Sequence, residues 1–396
     1  MKKDTGMLAD MAPPTSMGRA AVGITLAMLL MACAGFTSMC AGIEVLGNLV
    51  TQPVVAVLAL TFAGAFGLPY LGIILWIDRN EREPWYLIVS ALVWGAILAT
   101  GLSGIFNSIF GAFAGAIVPN PEVAMQLTAS ISAPLVEETT KGMALLALYF
   151  FFRKHFDNVL DGVVYGALVG LGFAVFENFS YYVNQPGGVI GVFALTFVRG
   201  VIAAAGGSHA TFTALTGLGL GLFRVMRRGW VRWLMPPLGL AAAIFMHFSW
   251  NTFAGVIMGI VPGGDVGGLL IGLPAAVVFL QLPFLAFVLI TSFFALRHER
   301  WLIRKYLGTE QPPVVHEKEL FRLVPAYRRT AHSLYLALTL RPGAWWRSRW
   351  RNHLLVRLAF EKWHMDAELQ GNDTAEAAEH AVRVRELRQA LRDYQV

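Results

Sequence analysis

Long apolar stretches alternate with short polar ones along most of this chain. Eight of them are long enough to cross a hydrocarbon layer of about 30 Å, which takes about 20 helical residues. They are residues 18–42, 50–77, 84–106, 124–152, 158–183, 189–223, 231–261 and 267–296. In lipid, backbone groups must be satisfied within their own segment, so apolar runs of this length predict helices. Residues 107–118 read as a short amphipathic extension. The sixth stretch carries "AAAGGSHA" in its middle, which predicts an unwound turn there. From Arg297 the pattern changes to shorter helical repeats: "AYRRTAHSLYLALTL" (326–340) is amphipathic, "WWRSRWRNHLLVRL" (345–358) is basic and aromatic, and Thr374 to Tyr394 is polar. The expected fold is all-α, a polytopic membrane helix bundle of about eight transmembrane helices with a C-terminal cytoplasmic helical tail. The domain boundary falls between 296 and 297, with the chemically interesting core at about 124–261.

Composition sharpens this picture. The chain of 396 residues is 56% hydrophobic and 14% charged, with mean hydropathy +0.58. A soluble protein would carry about 25% charged residues. Its 40 glycines also suit membrane helices. Two cysteines, Cys33 and Cys40, exclude a disulfide scaffold or a Cys-rich metal site. Residues 1–42 can also be read as a signal peptide, but the apolar run continues past any plausible cut, so an uncleaved helix is expected.

Charge sets the expected orientation. Lys2, Lys3 and Arg19 lie at the leading end of the first stretch. Arg79 and Arg82, then Arg153 and Lys154, then Arg224, Arg227, Arg228 and Arg232 occupy every second loop. The intervening loops 43–49, 107–123, 184–188 and 262–266 contain no Lys or Arg. This alternation places both termini in the cytoplasm of a cell-membrane protein. The segment from 297 holds 18 of the 31 basic and 12 of the 25 acidic residues, so the net charge of +6 belongs to the tail. An anionic lipid surface or a regulatory protein is its expected partner, and no nucleic-acid reader motif is present.

Ionisable groups inside membrane segments are costly and default to function. Here they are few: Glu137, Glu138 and Lys141 in "LVEETTKGM", Glu177 beside Asn178 in "FAVFENFSYY", Arg199 and His209 flanking the glycines of the sixth stretch, and His247 with Asn251 in "MHFSWN". Glu137 and Lys141 are four apart, Glu138 and Lys141 three apart, so all three share a helix face. Phe173 and Glu177, and His247 and Asn251, are likewise four apart. Counted along their helices, these groups fall at similar depth and are expected in one cavity. Carboxylates, imidazoles and an amide are what hydrolysis by activated water requires. A carboxylate takes the proton from water, and a His and an Asn donate to the oxyanion. Which of Glu137 and Glu138 is the base stays open. No cofactor is expected; zinc is the alternative, with Glu138, Glu177, His209 and His247 as its ligands, although H-E-x-x-H is absent. A proton- or ion-coupled transporter or channel is the competing function, since such proteins also bury Glu, His and Lys, but no paired, inverted broken helices are visible. Ser208 next to His209 is a poor serine-protease dyad, because adjacent helical residues face different directions.

The four motifs "EETTK", "FAVFEN", "HATFT" and "HFSWN", in this order on consecutive helices, resemble those of the PrsW family of intramembrane proteases, in the superfamily of the CAAX prenyl endopeptidases. "DRNEREPW" (78–85) resembles that family too, and the likeness covers about residues 70–255. It implies that Glu137 and Glu138 are the catalytic glutamate pair and Lys141 its basic companion. By the same likeness Glu177 and Asn178 form the second motif, His209 the third, and His247 and Asn251 the oxyanion pair. A membrane-associated protein substrate is implied as well, an anti-sigma factor being the kind this family is known to cut.

Overall fold

A computed structural model describes residues 16–203, 205–226, 229–370 and 374–393. Lys2, Lys3, Arg227 and Arg228 of the charge pattern, and Tyr394, lie outside the described residues. Among those residues every regular element is helical. All eight apolar stretches are helices, as their composition dictates. They are α1 (Ser16–Thr51), α2 (Pro53–Ile77), α3 (Trp85–Ile117), α4 (residues 121–151), α5 (Val159–Asn184), α6 (Gly188–Ile202) with α7 (Ala205–Val225), α8 (Met235–Ile260) and α9 (Gly264–Leu307). Among the described residues six helices, or seven counting α6 with α7 as one bent span, are long and apolar enough to cross a membrane. The remaining stretch, α4, has the length but carries Glu137, Glu138 and Lys141.

Three details refine the sequence expectation. Residues 107–118 are an extension of the preceding helix, as expected, and α3 runs on to Ile117. The sixth stretch leaves helix at Ala203, the first residue of "AAAGGSHA", while Gly207, Ser208 and His209 are in helix. The last membrane helix does not stop at 296 but continues to Leu307, and the division at 296/297 falls inside it.

Helix starts are locally encoded. Asn120 accepts the N–H groups of Glu122 and Val123 to begin α4, with Pro121 behind it. Asn158 and Asp161 form a reciprocal capping box at the start of α5. Helix α5 is apolar on all sides and correspondingly central: Leu168, Val169, Phe173 and Ala174 are buried among α2, α3 and α7. Its closest partner, α7, approaches over Gly162, Gly166 and Gly170, one glycine per turn. A methyl group on any of them would collide with the α7 backbone at Gly217, Thr213 or His209. Small residues at four-residue spacing allow such contact, and here it brings His209 against α5.

The tail forms α10 (Glu317–Leu323), α11 (Ala326–Leu338), α12 (Pro342–Gln370) and α13 (Thr374–Asp393). Leu302, Ile303 and Leu307 at the end of α9 are buried with Leu354, Leu355 and Phe360 of α12 and Leu387 and Leu391 of α13. Arg351, expected on a lipid-facing surface, is buried: it pairs with Glu319 and donates to the carbonyls of Leu391 and Val314. Leu354, Leu355 and Leu358 are buried with it. Trp346, Arg349 and Trp350 in the first part of that stretch stay exposed, as do His353 and Arg357 between the buried positions.

Candidate active site

Four helices converge on one buried polar cluster. Helix α4 presents Glu137, Glu138 and Lys141 on one face, as the three- and four-residue spacing requires. Lys141 Nζ donates to Glu138 Oε1 at 2.9 Å and to Glu137 Oε2 at 3.4 Å. Its ammonium also lies 3.1 Å from His209 Nδ1, and 3.6 Å above the Phe173 ring of α5. Lys141 is fully buried. An ammonium there is tolerable because two carboxylates, an imidazole and an aromatic face surround it.

Glu138 is the more enclosed carboxylate. It accepts from Lys141, from His247 Nδ1 of α8 at 3.1 Å and from Thr213 Oγ1 of α7 at 3.0 Å. Its side chain is 0% exposed, against 9% for Glu137. Glu137 has Lys141 at 3.4 Å and His247 Nε2 at 4.0 Å. The partners fix the imidazoles. His247 donates from Nδ1 to Glu138, which leaves Nε2 directed toward Glu137. Lysine only donates, so His209 accepts at Nδ1 and donates from Nε2 to Glu177 Oε2 at 3.0 Å. Glu177 in turn accepts from Arg199 of α6 at 2.9 Å, and Arg199 Nε donates to Asn178 Oδ1 at 2.9 Å while stacking on Tyr181. The side chains of Glu177 and Arg199 are 21% and 23% exposed, so the cluster opens on this side. Three carboxylates face two fixed cations, Lys141 and Arg199. The deficit of one positive charge is what a proton taken from water, or a bound cation, would fill.

The structure therefore brings together Glu137, Glu138, Lys141, Glu177, His209 and His247. Asn178 joins through Arg199. Asn251 does not reach the cluster: its amide donates to the carbonyl of Ala129 at 2.8 Å, in a widened turn of α4 at Thr128–Ser132 whose carbonyls lose their usual helical donors. Thr213 is the residue that sequence reasoning missed. Its signal was its place four residues after His209, on the same face of α7.

The metal-capable grouping also differs from expectation. Glu137, His209 and His247 place one donor atom each within 4.8 Å of one another. Glu138 and Glu177 are outside this set because Lys141, Thr213 and Arg199 occupy their oxygens. One carboxylate and two imidazoles are a donor set that catalytic zinc sites use with a fourth position open. They fit in kind, on condition that Lys141 releases His209 Nδ1.

Comparison with known proteins places these residues in context. A family described as PrsW family intramembrane metalloprotease matches residues 83–288, a span that contains the whole cluster. A protein of Geobacillus kaustophilus named Protease PrsW is 30% identical over 189 residues, covering 45% of this chain and 72% of that protein. One of Bacillus subtilis with the same name is 27% identical over 177 residues, covering 44% and 72%. A third, of Clostridioides difficile, is 30% identical over 123 residues, covering 30% and 49%. No solved structure gives a significant match.

Proposed function

This chain belongs to the PrsW family of intramembrane proteases, and from that premise we propose how its polar cluster hydrolyses a peptide bond. The chain is a membrane protein and a peptidase; the roles of its residues are our reading. Glu137 is the general base: it is the carboxylate with the fewest partners, beside the open side of the cluster. It takes a proton from water as the oxygen attacks the scissile carbonyl, and returns that proton to the leaving amine. Glu138, held by three donors, stays ionised and anchors Lys141 and His247. In its doubly protonated form His247 keeps its Nδ1 hydrogen bond to Glu138 and donates from Nε2 to the oxyanion, a contact worth about 10²- to 10³-fold in rate when such a donor is removed. Lys141 keeps the glutamate pair from sharing extra protons. Arg199 and Glu177 hold His209 and flank the entry for substrate. If an ion binds, Glu137, His209 and His247 would hold it, and it would supply Lewis acidity to the same water.

The substrate in this reading is a membrane-associated protein, the anti-sigma factor class being the one named by the family resemblance. The charge alternation supports the cytoplasmic membrane as location, with both termini inside. The observation that carries the mechanism is the unequal environment of the two glutamates. Co-expression with a panel of tagged single-pass proteins tests the function, comparing wild type with Glu137→Gln plus Glu138→Gln. Cleavage fragments present only with wild type are expected; identical fragments from both defeat the proposal.

A further inference from the structure

A second concentration of titratable groups lies away from the membrane cluster, where the loops at 78–84 and 152–158 meet helix α12 of the tail. Six carboxyl groups of the bundle and its loops gather there beside Glu361 and Glu368 of the tail, and four of the six are provided for. Asp78 accepts from the Glu83 N–H at 3.0 Å, and Glu83 accepts from the Tyr165 hydroxyl at 2.6 Å. Asp161 accepts the N–H groups of Asp157 and Asn158, and Glu299 accepts from Asn80 at 2.8 Å. Glu81 and Asp157 remain. Glu81 Oε2 is shielded from solvent with no hydrogen-bond partner, a costly state for a carboxylate. Asp157 has a long contact from Asn158 at 3.4 Å and His364 Nε2 at 3.3 Å. These two poorly served carboxylates and His364 bring one donor atom each within 4.8 Å of one another. They line a cavity of about 660 Å³, into which Arg224 and His380 also project. Glu81 as a whole keeps partial exposure, which leaves a route inward.

We propose that Glu81, Asp157 and His364 bind a divalent metal ion, of the class that takes mixed carboxylate and imidazole ligands, such as zinc, and that this ion staples the tail to the membrane bundle. Bonds of about 2.0–2.2 Å would draw the three donors inward by small side-chain rotations. The ion satisfies the orphaned oxygen of Glu81, which no protein group reaches. Its ligands come from the loop before α3, the loop before α5 and helix α12, so it adds a cross-link among three segments that are distant in sequence and already touch through His364–Asp157 and His155–Glu83. Helix α3 starts four residues after Glu81 and helix α5 two residues after Asp157, so the ion also constrains the entry of both into the bundle. This site is independent of any metal held by Glu137, His209 and His247.

The test uses the full chain purified in detergent, equilibrated with zinc and freed of excess, with metal counted per chain. Asp157→Asn and His364→Asn should each hold one zinc fewer than wild type, while His209→Asn keeps this ion. Equal zinc in wild type and His364→Asn overturns the proposal. A second measurement needs only wild type: trypsin cleavage of the tail from the membrane part with and without zinc. At zinc about 100-fold above its dissociation constant, the opened population should fall about 100-fold, and cleavage through that opening should slow accordingly. Cleavage unaffected by zinc overturns the proposal as well.

Discussion

Glu138 meets Lys141, His247 and Thr213, whereas Glu137 meets one donor at 3.4 Å. Two adjacent glutamates thus have different work, which the motif alone left undecided. Thr213→Val tests the anchoring of Glu138. It removes one donor from a buried carboxylate, a loss of about 1–3 kcal/mol. We expect a lower melting temperature and turnover reduced about tenfold or more if Glu138 shifts; unchanged values for both would remove Thr213 from the site. The ionisable residues were legible in the sequence because hydrocarbon makes each of them conspicuous, and helical spacing already put Lys141 within reach of both glutamates. Thr213 was not, since a hydroxyl, even four residues from His209, does not stand out in hydrocarbon as a charge does. Asn251 was misplaced for a related reason: its partner is a backbone carbonyl in a widened turn, and residue types do not announce such turns.

The elements act through how closely they approach. Helix α7 lies against the glycines of α5, and a methyl at Gly170 would strike the carbonyl of His209 itself. Gly170→Ala should therefore push α7 outward, lengthen the His209–Glu177 contact and depress turnover more than it depresses the melting temperature. An alanine variant with wild-type kinetics would show that this crossing does not position His209. The glycines were plain in the sequence, but their meaning needed the partner helix. At the loops that receive the tail, burial pushes Asp78 up to about 8, against a smaller lowering by the Glu83 N–H, and Asp157 up to about 7. A carboxyl raised by folding holds its proton better in the folded chain, so its stabilisation is complete below its ordinary value and is lost as pH climbs to the raised one. His364, which burial lowers to about 4, acts in the opposite sense and only below its ordinary value near 6.5. Between pH 6.5 and 8 the carboxyls set the slope. The melting temperature in chelator should fall across that window, and Asp78→Asn should flatten the fall. A rising curve would contradict these assignments.

For the whole molecule, the helical, membrane-spanning character was readable from the apolar stretches, because lipid permits few alternatives. The tail was less legible. Its basic and aromatic stretch has the composition of a lipid-facing helix, yet Arg351 and the leucines after it are buried among α9, α10 and α13. Composition shows that such a helix has an apolar side, and only the fold shows what covers it. The tail's core also takes in the end of α9, so movements of the tail act directly on a membrane helix. The proposed hydrolysis requires Glu137 to be the base inside a cluster that Glu138 holds together. The most direct measurement is turnover of a transmembrane peptide substrate in proteoliposomes by Glu137→Gln and Glu138→Gln, alongside their melting temperatures. Glu137→Gln should keep its melting temperature and lose turnover. Glu138→Gln should lose both, because Lys141 then lies buried without its nearest carboxylate. Turnover near the wild-type rate in Glu137→Gln would contradict the account.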